Sequence, residues 1–371
     1  MAHTDIPGRD EIVDLADTAG PVCISIYTPT DHAVTDHDRL QLEFSAQVKS
    51  ALEQIDDAEV RAALARSLEE LTEWPEFWRF QSRTLVVLAT TERVRTYRLP
   101  NRLPAVTEVG DRFYLKPMLR TTTFPQSAFV LALSENDARL VHVFADQEPT
   151  VIDTPDMPGG VEEFIGREDP AGGVPRRRLH AADSRKLRIR QYARAVDHAL
   201  RPVLRGSGLP LVLAAAEPTA SIFRAANSYP ELLDQGIEGN PEALTPADLA
   251  AQVRTVLDNH YRDELFEIRK TFADRQGQGR AVSDVADAAK AATYGAVSDL
   301  LVNFEALVPG TIDPETGTVT FTEQNGADEY GVVDEIARRA LLSGATVRAV
   351  RGEDMPNGEA GQVAALLRYP V

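Results

Sequence analysis

Two apolar runs joined by a short polar turn make up the segment Ala128-Phe129-Val130-Leu131-Ala132-Leu133-Ser134-Glu135-Asn136-Asp137-Ala138-Arg139-Leu140-Val141-His142-Val143-Phe144. Runs of this length and composition are typical of β-strands, and the turn at Glu135 predicts that they pair as a hairpin. Further along, a helix is predicted from about Asp183 or Ser184, either of which can cap its first free amides. The apolar run Leu209 to Ala216 then predicts a buried strand, which completes a strand-helix-strand unit. The apolar stripe of the helix consists of Ile189, Tyr192, Val196, Ala199 and Val203.

The residues before this unit predict a separate N-terminal domain. A strand is indicated by Val22 to Tyr27, and a long helical pattern follows from about Arg39 to Thr72. Two further runs, Thr84 to Ala89 and Val94 to Leu99, are predicted to be strands joined by a tight turn. Turn residues then interrupt the pattern up to about residue 125, where we place a domain boundary.

The residues from Leu244 onward predict a third domain. Thr245-Pro246 is typical of a helix start, with threonine as the cap and proline in the first turn. Helices predicted at Ala286 to Tyr294 and Val332 to Leu342 each lead into an apolar strand, which favours a small α/β sandwich. The chain is therefore predicted to be an α/β protein (α+β multidomain) with domains at residues 1–125, 126–243 and 244–371.

The composition favours a folded, cytoplasmic protein without disulfides. Its 371 residues are 43% hydrophobic and 26% charged, with a net charge of −18 at pH 7. The sequence has no apolar run of about 18 residues, and its first residues lack the basic and apolar regions of a signal peptide. The single cysteine, Cys23, lies in an apolar run and is expected to be buried. The negative charge opposes non-specific binding to nucleic acid, so any RNA contact has to be local.

Positive charge is concentrated in one segment. Between Arg176 and Arg194 the sequence has seven arginines and one lysine against a single acid, Asp183. The two glycines before this segment are conformationally permissive, and guanidinium groups suit bidentate contacts with phosphate. We therefore predict an RNA-binding surface here. Its candidate residues are Gly172, Gly173, Val174, Arg176, Arg177, Arg178, His180, Arg185, Lys186 and Arg188.

The alternative interpretation is a solvated face whose arginines pair with nearby acids. Those acids are Glu162, Glu163, Glu168 and Asp169. Against it, three consecutive arginines cannot all face one set of carboxylates. In addition, Arg185, Lys186 and Arg188 fall in the first turns of the predicted helix, where they oppose the helix dipole. Intrinsic helix stability therefore does not explain them.

Four parts of the chain together resemble archaeo-eukaryotic release factor 1, Pelota and their bacterial relatives, in particular those of the family 3 type. The N-terminal part is similar in Pro21-Val22-Cys23-Ile24-Ser25-Ile26-Tyr27-Thr28-Pro29-Thr30 and in Phe77-Trp78-Arg79-Phe80. The hairpin from Ala128, the Gly172-Gly173 loop and the basic helix after it resemble the middle domain. Two segments resemble the bacterial group and the family's closing strand, respectively: Ser221-Ile222-Phe223-Arg224-Ala225-Ala226-Asn227-Ser228-Tyr229-Pro230, with Gly236-Ile237-Glu238-Gly239-Asn240 after it, and Ala364-Ala365-Leu366-Leu367-Arg368-Tyr369-Pro370.

This resemblance implies a ribosomal function and three consecutive α/β domains, the last with the fold of a ribosomal RNA-binding protein. In the family's release factors the middle-domain loop carries Gly-Gly-Gln, which positions water for peptidyl-tRNA hydrolysis; here Val174 takes the place of glutamine. The codon-reading segment Asn-Ile-Lys-Ser is also missing, since its nearest counterpart, Gln47-Val48-Lys49-Ser50, lies in a predicted helix. The resemblance thus predicts a factor that occupies the ribosomal A site in rescue or hibernation, as the related Balon-type hibernation factors do. It also implies a translational GTPase as partner, with elongation factor Tu as the bacterial candidate.

Two other classes of function stay open at this stage. One is an enzyme, either a peptidyl-tRNA hydrolase that uses backbone groups near Val174 or an RNA nuclease. The other is an RNA-binding module that acts away from ribosomes through residues 244–371. We predict no catalytic residue and no cofactor, because the sequence lacks the phosphate-binding loop, the nucleophile elbow and the zinc-protease motif. A further candidate, for a divalent metal site, combines Asp31, His32, Asp36, His37 and Asp38, which are also ordinary residues of a polar turn.

Overall fold

The structure, a computed structural model, describes residues 5–30, 37–79, 81–125, 127–144, 148–168, 181–322 and 331–370. The chain forms two compact units: one combines Met1–Phe124 with Glu264–Val371, and the other is Pro125–Asp263. Each unit contains both helices and sheets, so the predicted mixed α/β class is confirmed. The finer division into three domains stays a prediction.

The N-terminal part of the first unit is an antiparallel sheet with flanking helices. Its elements are α1 (Arg9–Asp17), β1 (Ala19–Pro29), α2 (His37–Glu53), α3 (Ala58–Thr72), α4 (Pro75–Arg79), β2 (Thr84–Ala89), β3 (Val94–Leu99), β4 (Val106–Arg112) and α5 (Lys116–Thr123). The strand order is β3-β2-β1-β4, and each neighbouring pair is antiparallel. The strands predicted from the sequence correspond to β1, β2 and β3.

The long helix predicted from Arg39 to Thr72 is in fact two helices. The break lies between α2 and α3, where the Asp57 carboxylate accepts hydrogen bonds from the backbone N–H groups of Glu59 and Val60. This is an N-cap, and it satisfies amide groups that have no partner inside the helix. The apolar periodicity hides the break, because Ile55 in the linker is as buried as the helical residues on either side of it.

The second unit is a five-stranded mixed sheet with a long crossover helix. Its elements are β5 (Ala128–Leu133), β6 (Ala138–Val143), β7 (Thr150–Ile152), α6 (Val161–Glu168), α7 (Ala181–Leu204), β8 (Leu211–Ala215), α8 (Thr219–Ala226), β9 (Ile237–Glu238) and a 3-10 turn at Pro241–Ala243. The strand order is β7-β6-β5-β8-β9. The predicted hairpin is confirmed as β5 and β6, with Val130 opposite Val141, and β5 runs parallel to β8 as a crossover connection requires.

The C-terminal part of the chain begins with a helix that the sequence indicated only at its start. Its elements are α9 (Pro246–Gln276), β10 (Ala281–Val282), α10 (Val285–Thr293), β11 (Val297–Asn303), β12 (Gly310–Ile312), β13 (Val319–Phe321), α11 (Val332–Leu342), β14 (Thr346–Val350), a 3-10 turn at Gly352–Asp354 and β15 (Val363–Leu367). The four-stranded sheet has the order β10-β15-β11-β14, and β12 pairs with β13. The predicted alternation of helices and strands is confirmed in α10, β11, α11 and β14.

One apolar cluster joins the two chain segments of the first unit. It contains Cys23, Leu99 and Met118 from the N-terminal segment and Val302 and Ile336 from the C-terminal one. The Cys23 side chain is fully buried, as expected, and burial together with the nearby Asp111 charge raises the pKa of its thiol to about 11. Residues far apart in sequence therefore share a core, which explains why the first and last parts of the chain form one unit.

Polar contacts cross the same junction. The Lys116 ammonium lies 3.3 Å from Oδ2 of Asp334 and donates to the carbonyl of Ala306 at 2.8 Å. Both charged side chains are buried, at 2% and 4% exposure. A second, more accessible pair joins Arg112 to Glu335 at 3.0 Å. Buried charges require partners of this kind, because an isolated ion costs several kcal/mol to desolvate.

Candidate RNA-binding surface

The helix α7 has one buried face and one basic face. Its 24 residues give it a length of about 36 Å. Of the predicted apolar stripe, Ile189, Tyr192, Val196 and Ala199 are buried, and Val203 is partly buried. The basic face consists of Lys186, Arg190, Arg194, His198, Arg201 and Arg205, the last of these just beyond the helix end, and all six side chains are exposed.

The spacing of these residues follows from helix geometry. Residues four apart lie on the same side of an α-helix, about 6 Å from each other along its axis. Lys186, Arg190 and Arg194 obey this spacing, and so do Arg201 and Arg205. Leu187, which is 46% exposed, lies beside the first of them in sequence. The result is a row of positive charge along the helix, which we call the basic ridge.

Ion pairing distinguishes the N-terminal part of the ridge from its neighbour Arg185. That arginine makes a two-point contact with Glu135, with Nε–Oε2 and Nη2–Oε1 distances of 3.1 and 2.6 Å. By contrast, Lys186, Arg188, Arg190 and Arg194 form no ion pair with any residue that the structure describes. Charges that are not paired within the protein are available to an anionic partner, because no internal contact has to be broken first.

Hydrogen bonds to one buried carboxylate fix the position of the helix. Asp197 is 3% exposed, and its Oδ1 accepts hydrogen bonds from the backbone N–H and hydroxyl of Ser228 at 2.7 and 3.0 Å. Arg201 donates to Oδ2 of the same carboxylate at 2.8 Å. These bonds tie α7 to the loop after α8, since a buried carboxylate that accepts several hydrogen bonds holds its donors in place.

The described residues include only part of the predicted RNA-binding site. Gly172, Gly173, Val174, Arg176, Arg177, Arg178 and His180 lie outside the described residues. Arg185, Lys186 and Arg188 lie in the exposed first turns of α7, as the sequence predicted. The pairing of Arg185 with Glu135 corresponds to the alternative interpretation of a solvated, paired face, although Glu135 is not one of the acids named for it.

The basic face also contains residues that the sequence-based site did not include. They are Arg190, Arg194, His198, Arg201 and Arg205. Their four-residue spacing was visible in the sequence, so plotting the charges on a helical wheel would have identified most of the ridge.

Two negative findings concern the described ranges alone. Within those ranges, no group of three or more histidine, cysteine or acidic side chains is arranged to hold a metal ion. The candidate metal ligands Asp31, His32 and Asp36 lie outside them, and the side chains of His37 and Asp38 are also not described. No described helix is both long and apolar enough to cross a membrane.

Known proteins similar to this chain include translation factors, all at low sequence identity. Among curated proteins, no sequence matches the chain. Several solved structures are similar at low identity. A crystal structure of the archaeal translation termination factor aRF1 is 15% identical, covers 98% of this chain and 99% of that one, and has a TM-score of 0.25. Ribosome-bound archaeal Pelota with ABCE1 is 12% identical, with coverages of 100% and 96% and a TM-score of 0.42. Dom34 from S. cerevisiae, a translation termination-like factor that interacts with Hbs1, is 12% identical, with coverages of 75% and 73% and a TM-score of 0.39.

The sequence match that bears on the site is to a family model. The model of the bacterial archaeo-eukaryotic release factor family 11 matches residues 125–263, which are the second unit. The matched family is number 11, whereas the sequence segments suggested the family 3 type. The resemblance to release-factor-like proteins is confirmed for the unit that carries α7, and residues 125–263 are similar to the bacterial archaeo-eukaryotic release factor family 11.

Proposed function

We propose that this protein is a cytoplasmic, ribosome-associated factor that occupies the A site in rescue or hibernation, without reading a stop codon or hydrolysing peptidyl-tRNA. The observation that carries the proposal is the basic ridge of α7, an exposed row of cations in a protein with a net charge of −18. A strongly acidic protein is repelled by RNA over most of its surface, so a local row of cations determines which face approaches.

The contacts of α7 are suited to this role. Lys186, Arg190 and Arg194 have no ion-pair partner among the described residues, so a phosphate backbone meets them without competition. The side of the helix that carries Asp197 is held by hydrogen bonds to that buried carboxylate, which presents the cations on a fixed element. Preorganised cations lose less side-chain and backbone freedom on binding than cations on a mobile segment.

The proposed lack of hydrolysis rests on the resemblance to release factors. Val174 replaces the glutamine of Gly-Gly-Gln and has no polar side chain to organise water. A relation to the Balon-type hibernation factors and to the family 3 type is also proposed, again on the resemblance of the sequence segments. So does delivery by a translational GTPase such as elongation factor Tu, with residues 244–371 as the proposed docking domain.

A salt titration of ribosome binding tests the proposal. The variant Lys186→Glu, Arg190→Glu, Arg194→Glu and the unchanged protein are sedimented with 70S ribosomes from stationary-phase cells over a series of potassium chloride concentrations. Each cation that contacts a phosphate contributes about 0.7–0.9 to the slope of log affinity against log salt. We expect the triple variant to bind more weakly and its slope to be smaller by about 2.

A matched control separates ridge-specific effects from net charge. Lys49, Arg66 and Arg93 are exposed residues of the first unit, and reversing all three to glutamate changes the net charge equally. This control is expected to keep the slope of the unchanged protein. Equal slopes for the ridge variant and the unchanged protein would refute the proposed ridge contact.

A second assay addresses the chemistry. Stalled ribosomes that carry a labelled nascent peptide are incubated with the protein, and released peptide is measured. The proposal predicts release at the background rate. Release that depends on residues 171–178 would instead establish a peptidyl-tRNA hydrolase.

A further inference from the structure

A cavity of about 670 Å³ lies at the C-terminal end of α7, next to the loop that follows α8. Its walls include Leu200, Leu204, Arg205 and Tyr229. Sites for small organic ligands usually have volumes of about 300–1,000 Å³, so the space is sufficient for one nucleotide. Arg201 and Arg205 of the basic ridge line the cavity, so the ridge leads to it.

One side of the cavity is apolar and held in place. Leu200 and Leu204 are almost fully buried, with 2% and 1% exposure. The Tyr229 hydroxyl donates to the carbonyl of Leu209 at 2.6 Å and lies 3.0 Å from the hydroxyl of Ser207. These bonds restrict the tyrosine ring without involving its faces. An aromatic ring beside leucine side chains is a suitable surface for a planar base.

The charged side chains that line the cavity differ in whether they have an ion-pair partner in the protein. The Asp197 carboxylate already accepts bonds from Ser228 and Arg201, so its charge is compensated within the protein. Arg205 is exposed and forms no ion pair with a described residue. Glu231 also lines the cavity, and its carboxylate can only accept hydrogen bonds. A phosphate is therefore favoured at Arg205, and a base with amino groups is favoured at Glu231.

We propose that this cavity binds one nucleotide unit, with its base against Tyr229 and its phosphate at Arg205. The proposal rests on RNA binding by the basic ridge and assigns the cavity to an unstacked nucleotide of the bound strand. Single-stranded or looped RNA offers such nucleotides, since proteins read it mainly through splayed bases that stack on aromatic or apolar side chains. A free nucleotide has the same chemistry, and the experiment distinguishes the two sources.

The first measurement is the anisotropy of a fluorescein-labelled single-stranded RNA of ten nucleotides, titrated with the full-length protein. Losing one charge-assisted hydrogen bond weakens binding by about tenfold or more. We expect that loss for Arg205→Ala, whereas Arg66→Ala, an exposed arginine of the first unit, is expected to bind as the unchanged protein does. Tyr229→Leu is expected to weaken binding at least fivefold, and Tyr229→Phe, which keeps the ring, less.

The second measurement locates the contact and its source. Ultraviolet cross-linking of the same RNA is expected to place an adduct within residues 228–231, and thermal melting followed by circular dichroism shows whether each variant is folded. Adenosine 5′-monophosphate is titrated separately. Binding that depends on Arg205 identifies a free nucleotide as occupant, while dependence seen only with the RNA identifies the strand.

The outcomes separate this proposal from the proposed function. If the ridge variant loses ribosome affinity but Arg205→Ala and Tyr229→Leu bind RNA normally, the cavity proposal is wrong and the ribosomal function stands. If the cavity variants lose nucleotide binding while the ridge variant keeps its salt slope, the cavity proposal stands and the ribosomal role of the ridge is wrong.

Discussion

Replacing Lys116 with methionine tests whether the buried ion pair with Asp334 holds the two segments of the first unit together. The ammonium lies 3.3 Å from the carboxylate, and neither side chain is more than 4% exposed. Methionine has a similar length and no charge, so the substitution removes the Lys116 ammonium from beside the buried Asp334 carboxylate. Breaking a buried pair in this way costs about 3–5 kcal/mol of unfolding free energy. We expect a loss of that size at pH 7.

A double variant tests the same expectation more stringently. Replacing both partners, Lys116→Met with Asp334→Leu, removes the two charges of this pair together. Such replacements are often neutral or stabilising by about 1–4 kcal/mol, because the desolvation cost disappears with the pair. The double variant is therefore expected to be more stable than Lys116→Met alone. If the effects of the two substitutions were additive, the double variant would instead lose the sum of both free energies.

The loss of unfolding free energy caused by Lys116→Met is expected to depend on pH. Burial already raises the pKa of Asp334, and Lys116 lowers it again. Without Lys116 the folded-state pKa rises further above the unfolded value, so the folded protein binds the proton more readily as the pH falls. The destabilisation by Lys116→Met is therefore expected to be largest at pH 7 and to shrink at pH 5.

Urea unfolding followed by tryptophan fluorescence is the appropriate assay. Both tryptophans, Trp74 and Trp78, belong to the first unit, so their emission reports on that unit. Lys49→Met is the matched control, because Lys49 is 76% exposed and its pair with Glu53, at 3.9 Å, is also exposed. This substitution is expected to change the free energy of unfolding by less than about 1 kcal/mol. The reasoning is refuted if Lys116→Met costs less than about 1 kcal/mol, or if the double variant is as unstable as the sum of both single variants.

Two further predictions concern single residues. Burial lowers the pKa of His142 to about 4, so between pH 6.5 and 4 the unfolded chain takes up a proton that the folded chain excludes. The free energy of unfolding of the second unit is expected to fall by about 2 kcal/mol from pH 7 to 4.5. The variant His142→Phe, whose new ring would lie beside Phe129 and Phe144, is expected to reduce that fall. Urea unfolding followed by circular dichroism measures it, and the same pH dependence for the variant and the unchanged protein would contradict the prediction. Asp284 caps α10 by accepting from the N–H groups of Ala286 and Asp287, so Asp284→Ala should cost about 1 kcal/mol and Asp284→Asn much less, measured by tryptophan fluorescence; equal costs would exclude the cap.

Local structure was largely predictable where one pattern dominated. The strands of the β5–β6 hairpin and the limits of α11 follow from apolar runs between clear turn residues, and the structure has them at nearly the predicted positions. The break before α3 was not predictable from periodicity, because Ile55 keeps the apolar spacing through it. The length of α9 was missed, although Leu249, Val253, Leu257 and Tyr261 are buried and recur at spacings of four.

Long-range pairing was beyond local pattern analysis. Nothing near Lys116 in the sequence indicates that its partner is Asp334, which lies 218 positions away. Lysine is rarely buried, so the residue type favoured an exposed position. The candidate site shows the same contrast: the charge concentration identified α7, but only the structure separates Arg185, which is paired with Glu135, from the unpaired part of the ridge.

The buried Cys23 makes the natural chain suitable for site-directed probing. It is the one cysteine in the sequence, its side chain is fully enclosed, and a thiol with a pKa of about 11 is almost entirely protonated at neutral pH. In the reaction with maleimides the thiolate is the nucleophile, so the buried and protonated Cys23 thiol of the folded protein is expected not to react with such reagents. A cysteine introduced at an exposed position such as Gln191 of α7 would then carry a cleavage reagent at a single known point. The pattern of RNA strand scission around that point would map the neighbourhood of the helix on the ribosome, with no background from the rest of the chain.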